Sequence, residues 1–274
     1  MNWRAIVAIV RKDLKVVRRS RGVMLPLIIV PALVCVLLPG LFAALPQVIG
    51  GFALADTQND MEVWLAQLPQ AFRQEFMGYT DPQRMVILLA VYYFAPMYLI
   101  LPLMVSSVIA ADSLAGEKER KTLEALLYTP TSDQDILAAK LLSAWVPAVV
   151  VAWLGFALYA LVLNGVGWPL FGYIFFPNLM WWLLALWVAP ALAGLGLGVT
   201  VLISARVGTF QEAYQLGGLV VLPVVALMIS QSAGALYFGP RIVFGLGVAA
   251  WVVDGALFWL GSRLLRRSSL LTRL

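Results

Sequence analysis

Histidine is absent from this 274-residue chain, and cysteine occurs once, at Cys35. Without histidine, a His-bearing zinc site, a Ser-His-Asp triad or a Cys-His pair cannot be assembled within the chain. A single cysteine excludes an internal disulfide. Charge is scarce too: 12% of residues are charged and 62% are hydrophobic, against roughly 25% charged in ordinary soluble domains. With a mean hydropathy of +0.90, the composition is that of an integral membrane protein. No soluble domain, low-complexity tract or tandem repeat interrupts it, so residues 1–274 read as one transmembrane domain.

What the chain has instead is long apolar runs. They fall at about 22–46, 84–110, 141–163, 177–203, 215–233 and 242–262, near the ~20 residues that a helix needs to cross a bilayer core. Backbone polar groups cannot face lipid unpaired, and the runs are too uniformly apolar for barrel strands. The expected fold is therefore all-α with six transmembrane helices. With both termini inside, 16 of the 19 Lys and Arg lie on the inner face, leaving Arg73, Arg84 and Arg241 outside. That bias predicts cytoplasmic N- and C-termini, and nothing in the +5 net charge points to nucleic acid.

The N-terminal segment, residues 1–21, predicts an amphipathic interfacial helix. Trp3, Ile6, Val7, Val10, Leu14 and Val17 recur at helical spacing, and Arg4, Arg11, Lys12, Lys15, Arg18 and Arg19 occupy the other faces. Such a helix rests its apolar stripe in the acyl boundary of the membrane lipids and turns its cations to anionic head groups. The following run resembles a signal peptide but is too long for one, and reads as a retained anchor. Pro26, Pro31 and Pro39 predict a kinked first span. Residues 47–83 form the only sizeable outer loop, in which Met61, Trp64, Leu65, Leu68, Phe72 and Phe76 trace one helical face.

Residues 111–140, ADSLAGEKERKTLEALLYTPTSDQDILAAK, form a charged island on the inner face. Leu114 to Tyr128 read as a helix with Glu117, Lys118, Arg120, Lys121 and Glu124 on its surface and Leu123, Leu126 and Leu127 clustered. Pro130 stops it, and Ser132 with Asp135 makes an S-x-x-D start signal for the third span. Gly116 to Thr122 superficially resembles a phosphate-binding G-x-x-x-x-G-K-[ST] loop, but Arg120 stands where the second glycine is required. No nucleotide site is evident.

Three further polar residues stand out. Asp254 lies midway along the last span, where a charge is costly and proton or cation handling is one reading, a satisfied structural acid the other. Glu212 begins the fifth span beside Arg206, fitting helix-end electrostatics or a gating contact. Gly194 and Gly198 have the spacing for close helix approach, within the subunit or at a dimer contact. Trp145, Trp153, Trp181, Trp182, Trp187 and Trp251 fit interfacial anchors, or the lining of a lipid-like path.

The pattern Ala115-Gly116-Glu117-Lys118-Glu119-Arg120-Lys121-Thr122-Leu123-Glu124, followed by Leu126, Leu127, Pro130, Thr131 and Lys140, resembles the permease subunits of type-2 ABC transporters, of exporter type. The basic arm, the six-span layout and Arg206 with Gln211-Glu212 extend the resemblance over nearly the whole chain. It implies that residues 112–130 supply a cytoplasmic coupling helix between the second and third spans. Glu117, Glu119, Arg120 and Glu124 would contact an ATPase, and Leu123, Leu126 and Leu127 would anchor the helix. It further implies a second permease copy or related permease, two copies of a cytosolic ABC ATPase, and a bacterial or archaeal cell (inner) membrane. Mg-ATP would bind the partner and no cofactor this chain, which would hydrolyse nothing. The alternative from the residues alone is an ion- or proton-coupled secondary transporter working through Asp254.

Overall fold

The computed structural model describes residues 2–48, 76, 78–122, 131–232 and 236–264, and every element among them is helical. Six helices are long and apolar enough to span a membrane. We number the helices in chain order. The N-terminal α1 (Trp3–Arg19) precedes α2 (Arg21–Val48), the first span. Next come α3, an α-helical turn Asp81–Val86 continuing as a π-helical stretch Ile87–Tyr93, and the second span, α4 (Ala95–Glu119). The third span is α5 (Asp133–Phe171), the fourth α6 (Leu179–Ser204), the fifth α7 (Phe210–Gln231) and the sixth α8 (Pro240–Leu264).

Proline explains most of the irregularity. A proline lacks an N–H and clashes with the carbonyl four residues earlier, and a π-helical turn absorbs that misfit. Pro39, Pro96 and Pro190 lie four residues after Cys35, Tyr92 and Leu186, each inside a π-helical stretch: Leu33–Leu37, Ile87–Tyr93 and Leu184–Val188. Neighbouring side chains take up the loosened carbonyls. The Tyr159 hydroxyl donates to Ala90 O, Trp181 Nε1 to Val91 O at 2.7 Å and Gln231 Nε2 to Tyr92 O at 2.8 Å. Trp153 Nε1 donates to Ala185 O and Trp145 Nε1 to Pro190 O, both at 2.9 Å. Trp145, Trp153 and Trp181 are thus internal hydrogen-bond donors that hold helix to helix, a role beyond interfacial anchoring.

The second span is the centre of the bundle: α4 packs against both α5 and α6. Its approach to α6 depends on Gly196, where a Cβ would stand 2.5 Å from Ser106 Oγ and 2.7 Å from Leu103 O. Gly194 and Gly198 face Asp254 and Leu257 of α8, so their spacing serves packing within this chain. At about 1.5 Å per residue, the 39 residues of α5 run roughly 58 Å, well beyond a hydrocarbon core of about 30 Å. Ser132 starts this helix, its Oγ accepting from Asp135 N at 3.2 Å, and left-handed Gly172 ends it.

Three expectations change here. The second span, α4, does not stop near residue 110 but continues to Glu119. The helix expected over Leu114 to Tyr128 is broken at Arg120–Lys121, where Lys121 adopts φ 56°. The apolar stripe of α1 is rotated: Ile6, Ile9, Asp13 and Val17 are buried, and Trp3 and Val7 are exposed. α1 packs Ile6 and Ile9 against Ile136 and Ala139 of α5, so protein contact sets its orientation. Leu123, Glu124, Leu126 and Leu127, and the outer-loop face from Met61 to Phe72, lie outside the described residues. Phe76 is buried.

Candidate functional site

The charged island does not stand in water as a unit. Asp112, Glu117, Asp135 and Lys140 are all buried, because α4 and α5 carry them into the end of the bundle where α1 lies. Lys140, in the second turn of α5, is the hub. Its Nζ reaches Glu117 Oε2 at 2.7 Å, Asp13 Oδ2 at 3.2 Å and the Ser113 carbonyl at 2.9 Å. Asp13 Oδ2 also accepts from Ser113 Oγ at 2.9 Å and Ser143 Oγ at 3.1 Å. Lys12, half exposed, bonds Glu117 and lies 3.4 Å from Asp13. Two acids and two lysines cancel in charge, with hydroxyls completing the hydrogen bonds, which is what burial of ions requires.

Burial pulls the Lys12 ammonium down, but hydrogen bonds and attraction from Glu117 and Asp13 outweigh this and raise it above its ordinary value. The cluster therefore fixes three elements together: α1 through Lys12 and Asp13, α4 through Ser113 and Glu117, and α5 through Lys140 and Ser143. A fourth π-helical stretch, Asp112–Gly116, lies at this junction with no proline to cause it. Its carbonyls are captured by side chains instead, Ser113 O by Lys140 and Asp112 O by Arg120.

The G-E-K-E-R-K-T motif resolves residue by residue into local structure. A Cβ on Gly116 would meet Asp112 Oδ1 at 2.9 Å and Arg120 Nη2 at 3.2 Å. Glycine thus leaves room for the Arg120–Asp112 ion pair, 3.0 Å long. Glu117 enters the buried cluster. Lys118 Nζ donates to Val207 O at 3.4 Å, and Glu119 Oε2 accepts from the backbone N–H of Phe210 at 2.9 Å. Both bridge to the start of the fifth span. Lys121 N–H then bonds Lys118 O at 3.1 Å, and Thr122 N–H bonds Glu117 O at 2.9 Å. This pair of bonds around a left-handed residue is a Schellman cap, which ends α4.

Glu117 was expected on the surface and is instead 3% exposed, because Lys140 draws it inward. Glu119 and Arg120 are exposed but engaged within the chain, and Lys121 and Thr122 extend that exposed turn. Glu212 caps the fifth span with Thr209: Thr209 Oγ1 accepts from Glu212 N, and Glu212 Oε2 accepts from Gly208 N at 3.2 Å. Among the described residues Glu212 forms no ion pair with Arg206, which is exposed. Sequence reasoning missed Asp13. Its signal was present, since Asp13 is the only acid in a strongly basic arm and is spaced seven residues from Ile6 and four from Ile9 and Val17, on the face that packs.

Asp254 stands apart from these groups. It lies beside Gly194, where a Cβ would come within 2.5 Å of Asp254 Oδ2. Both of its carboxylate oxygens are buried and have no hydrogen-bond partner among the described residues.

A family model described as ABC-2 family transporter protein matches residues 7–245. The match takes in most of α1, the first five spans and the start of the sixth. No curated protein and no solved structure matches the chain.

Proposed function

The chain belongs to the ABC-2 transporter family and is a membrane permease component of an ABC transporter; on that premise we propose that it is an exporter permease driven through its charged turn. In this reading two permeases, identical or related, enclose the translocation path. Two copies of a separate cytosolic ATPase bind and hydrolyse Mg-ATP. The α1 end of the bundle faces the cytoplasm, and residues 112–130 dock on the ATPase.

The observation that carries the proposal is the dual engagement of the G-E-K-E-R-K-T segment. Glu119, Arg120, Lys121 and Thr122 are exposed, while Glu117 is bonded to α1 and α5 and Glu119 to the start of α7. Displacement of the turn by a partner would pull on the second, third and fifth spans and α1 together. The ATPase need favour one arrangement of this junction over another by only a few kcal/mol to shift the bundle's population. The permease contributes no hydrolysis. Its part is a rigid joint.

The test is coexpression with the neighbouring ABC ATPase, followed by purification and ATP hydrolysis in nanodiscs. Glu119→Ala, which cuts the tie to Phe210, is expected to retain the copurified ATPase but lower permease-dependent stimulation of hydrolysis several-fold. Failure of the ATPase to copurify with the wild-type chain, or full stimulation by Glu119→Ala, would remove the proposed coupling route.

A further inference from the structure

We propose that the groove around Asp254 is a binding site for an amphiphilic cation: a protonated amine carried on an apolar body. The groove has a volume of about 430 Å³ and is formed by α5, α6 and α8. Ligand pockets commonly begin at about 300 Å³. Leu141, Trp145, Leu197, Trp251 and Leu257 supply apolar wall, and among the described residues Asp254 is the only ionisable one lining it. An apolar body is matched by the wall, and a single positive charge by the single carboxylate.

The carboxylate is built into the site. Its oxygens lie against Gly194, where an added Cβ would come within 2.5 Å of Oδ2 and push the carboxylate aside, and neither is hydrogen-bonded within the chain among the described residues. An intramembrane carboxylate without a partner is costly, and an ammonium group removes that cost by supplying charge-assisted hydrogen bonds. Trp145 and Trp251 add aromatic surface suited to a cation, and the Trp145 ring is fixed by its bond to Pro190 O at 2.9 Å.

Depth selects the source of the amine. Asp254 is thirteen residues from Arg241 and nine from Arg263, the charges that flank the apolar run of α8, or about 20 and 14 Å along the axis, which places it inside the hydrocarbon core. A phospholipid head group at the interface does not reach it. A single-chain amine dissolved in the bilayer does. The inference is independent of the coupling route, since no residue of the charged turn takes part.

The experiment uses the full chain in phosphatidylcholine nanodiscs and a diazirine-bearing long-chain alkylamine, with labelled residues mapped by mass spectrometry. Saturable labelling of α5, α6 and α8 at the groove is expected, with dodecylamine competing at least about tenfold better than dodecanol, the scale of a hydrogen bond to a charged group. Asp254→Asn should erase that preference, and Gly194→Ala should weaken it by displacing the carboxylate; both variants are checked for wild-type elution and thermal unfolding. Equal competition by dodecanol, or an undiminished preference in a folded Asp254→Asn, would overturn the proposal and leave a groove filled by hydrocarbon. Loss of labelling when phosphatidylethanolamine replaces half the lipid would overturn it too, by assigning the site to a head-group amine.

Discussion

Lys140 and Asp13, separated by 127 positions, meet as an ion pair 3.2 Å long whose side chains are 4% and 2% exposed. The pair joins a helix that precedes the first span to the beginning of the third. Its energetics follow from burial. Each ion has given up water, and each is tolerated because the other, with Glu117 and two serines, replaces it.

Removing the hub alone should therefore be severe. Lys140→Met leaves Asp13 and Glu117 buried without their main counter-charge and is expected to destabilise the chain by about 3–5 kcal/mol. Adding Asp13→Asn and Glu117→Gln removes the stranded charges and should restore most of the loss. Denaturant unfolding in detergent, compared across the single and triple variants, checks both halves; a triple variant as unstable as the single one would mean that the cost lies elsewhere.

Lys12 predicts a pH dependence with a definite sign. Its folded-state pKa is raised above the ordinary lysine value of 10.5. Its stabilising contribution is then fully present below that ordinary value and is lost as pH rises through the folded value. The attachment of α1 should hold through the neutral and mildly alkaline range and loosen only above it, measured as new labelling of a cysteine placed at Ile9. Lys12→Met should flatten that alkaline response.

Lys121 occupies the left-handed position of the Schellman cap at φ 56°, which costs a non-glycine residue roughly 1–2 kcal/mol. Lys121→Gly is expected to stabilise the isolated permease by up to about 1 kcal/mol, the remainder offset by glycine's greater unfolded-state entropy. Thermal unfolding of the permease without its ATPase is the measurement. A Tm below wild type would show that the lysine side chain, rather than the backbone shape, holds the turn.

Gly196→Ala should separate the two central spans. Its Cβ would press on the Leu103 carbonyl at 2.7 Å and on Ser106 Oγ at 2.5 Å, and the backbone atom has no rotamer to escape into. A loss of about 1–3 kcal/mol is expected. Gly245→Ala, with nothing within 4 Å, is the matched control in a span, and equal unfolding of the two variants would deny the close approach of α4 and α6.

Much of the architecture was legible because it follows from solvent. Six apolar runs have no stable alternative to six helices in lipid, and Ser132 with Asp135 marked the start of the third span because a cap is a local device. The π-helical stretches were half legible. Pro26, Pro31 and Pro39 announced a misfit in the first span, but nothing local marked Trp145 and Trp153 as the donors beside Pro190, or Trp181 as a donor to the stretch before Pro96. The site was the least legible part. G-E-K-E-R-K-T reads as a solvated helical face, since nothing local says that Glu117 turns inward to Lys140 or that Glu119 turns aside to Phe210.

The sequence by itself determined the class of the protein, the number of its spans and the position of its charged segment, because composition, run length and charge bias act through water and lipid without regard to partners. Only the tertiary structure decided what that segment contacts. Charges are oriented by whichever counter-charge is nearest in space, and Asp13, Lys140 and the start of the fifth span are near Glu117 and Glu119 only once the bundle has formed. The same holds for Asp254. Its place in an apolar run marked it as unusual, and the absence of a glycine side chain at Gly194 made room for its carboxylate in a groove.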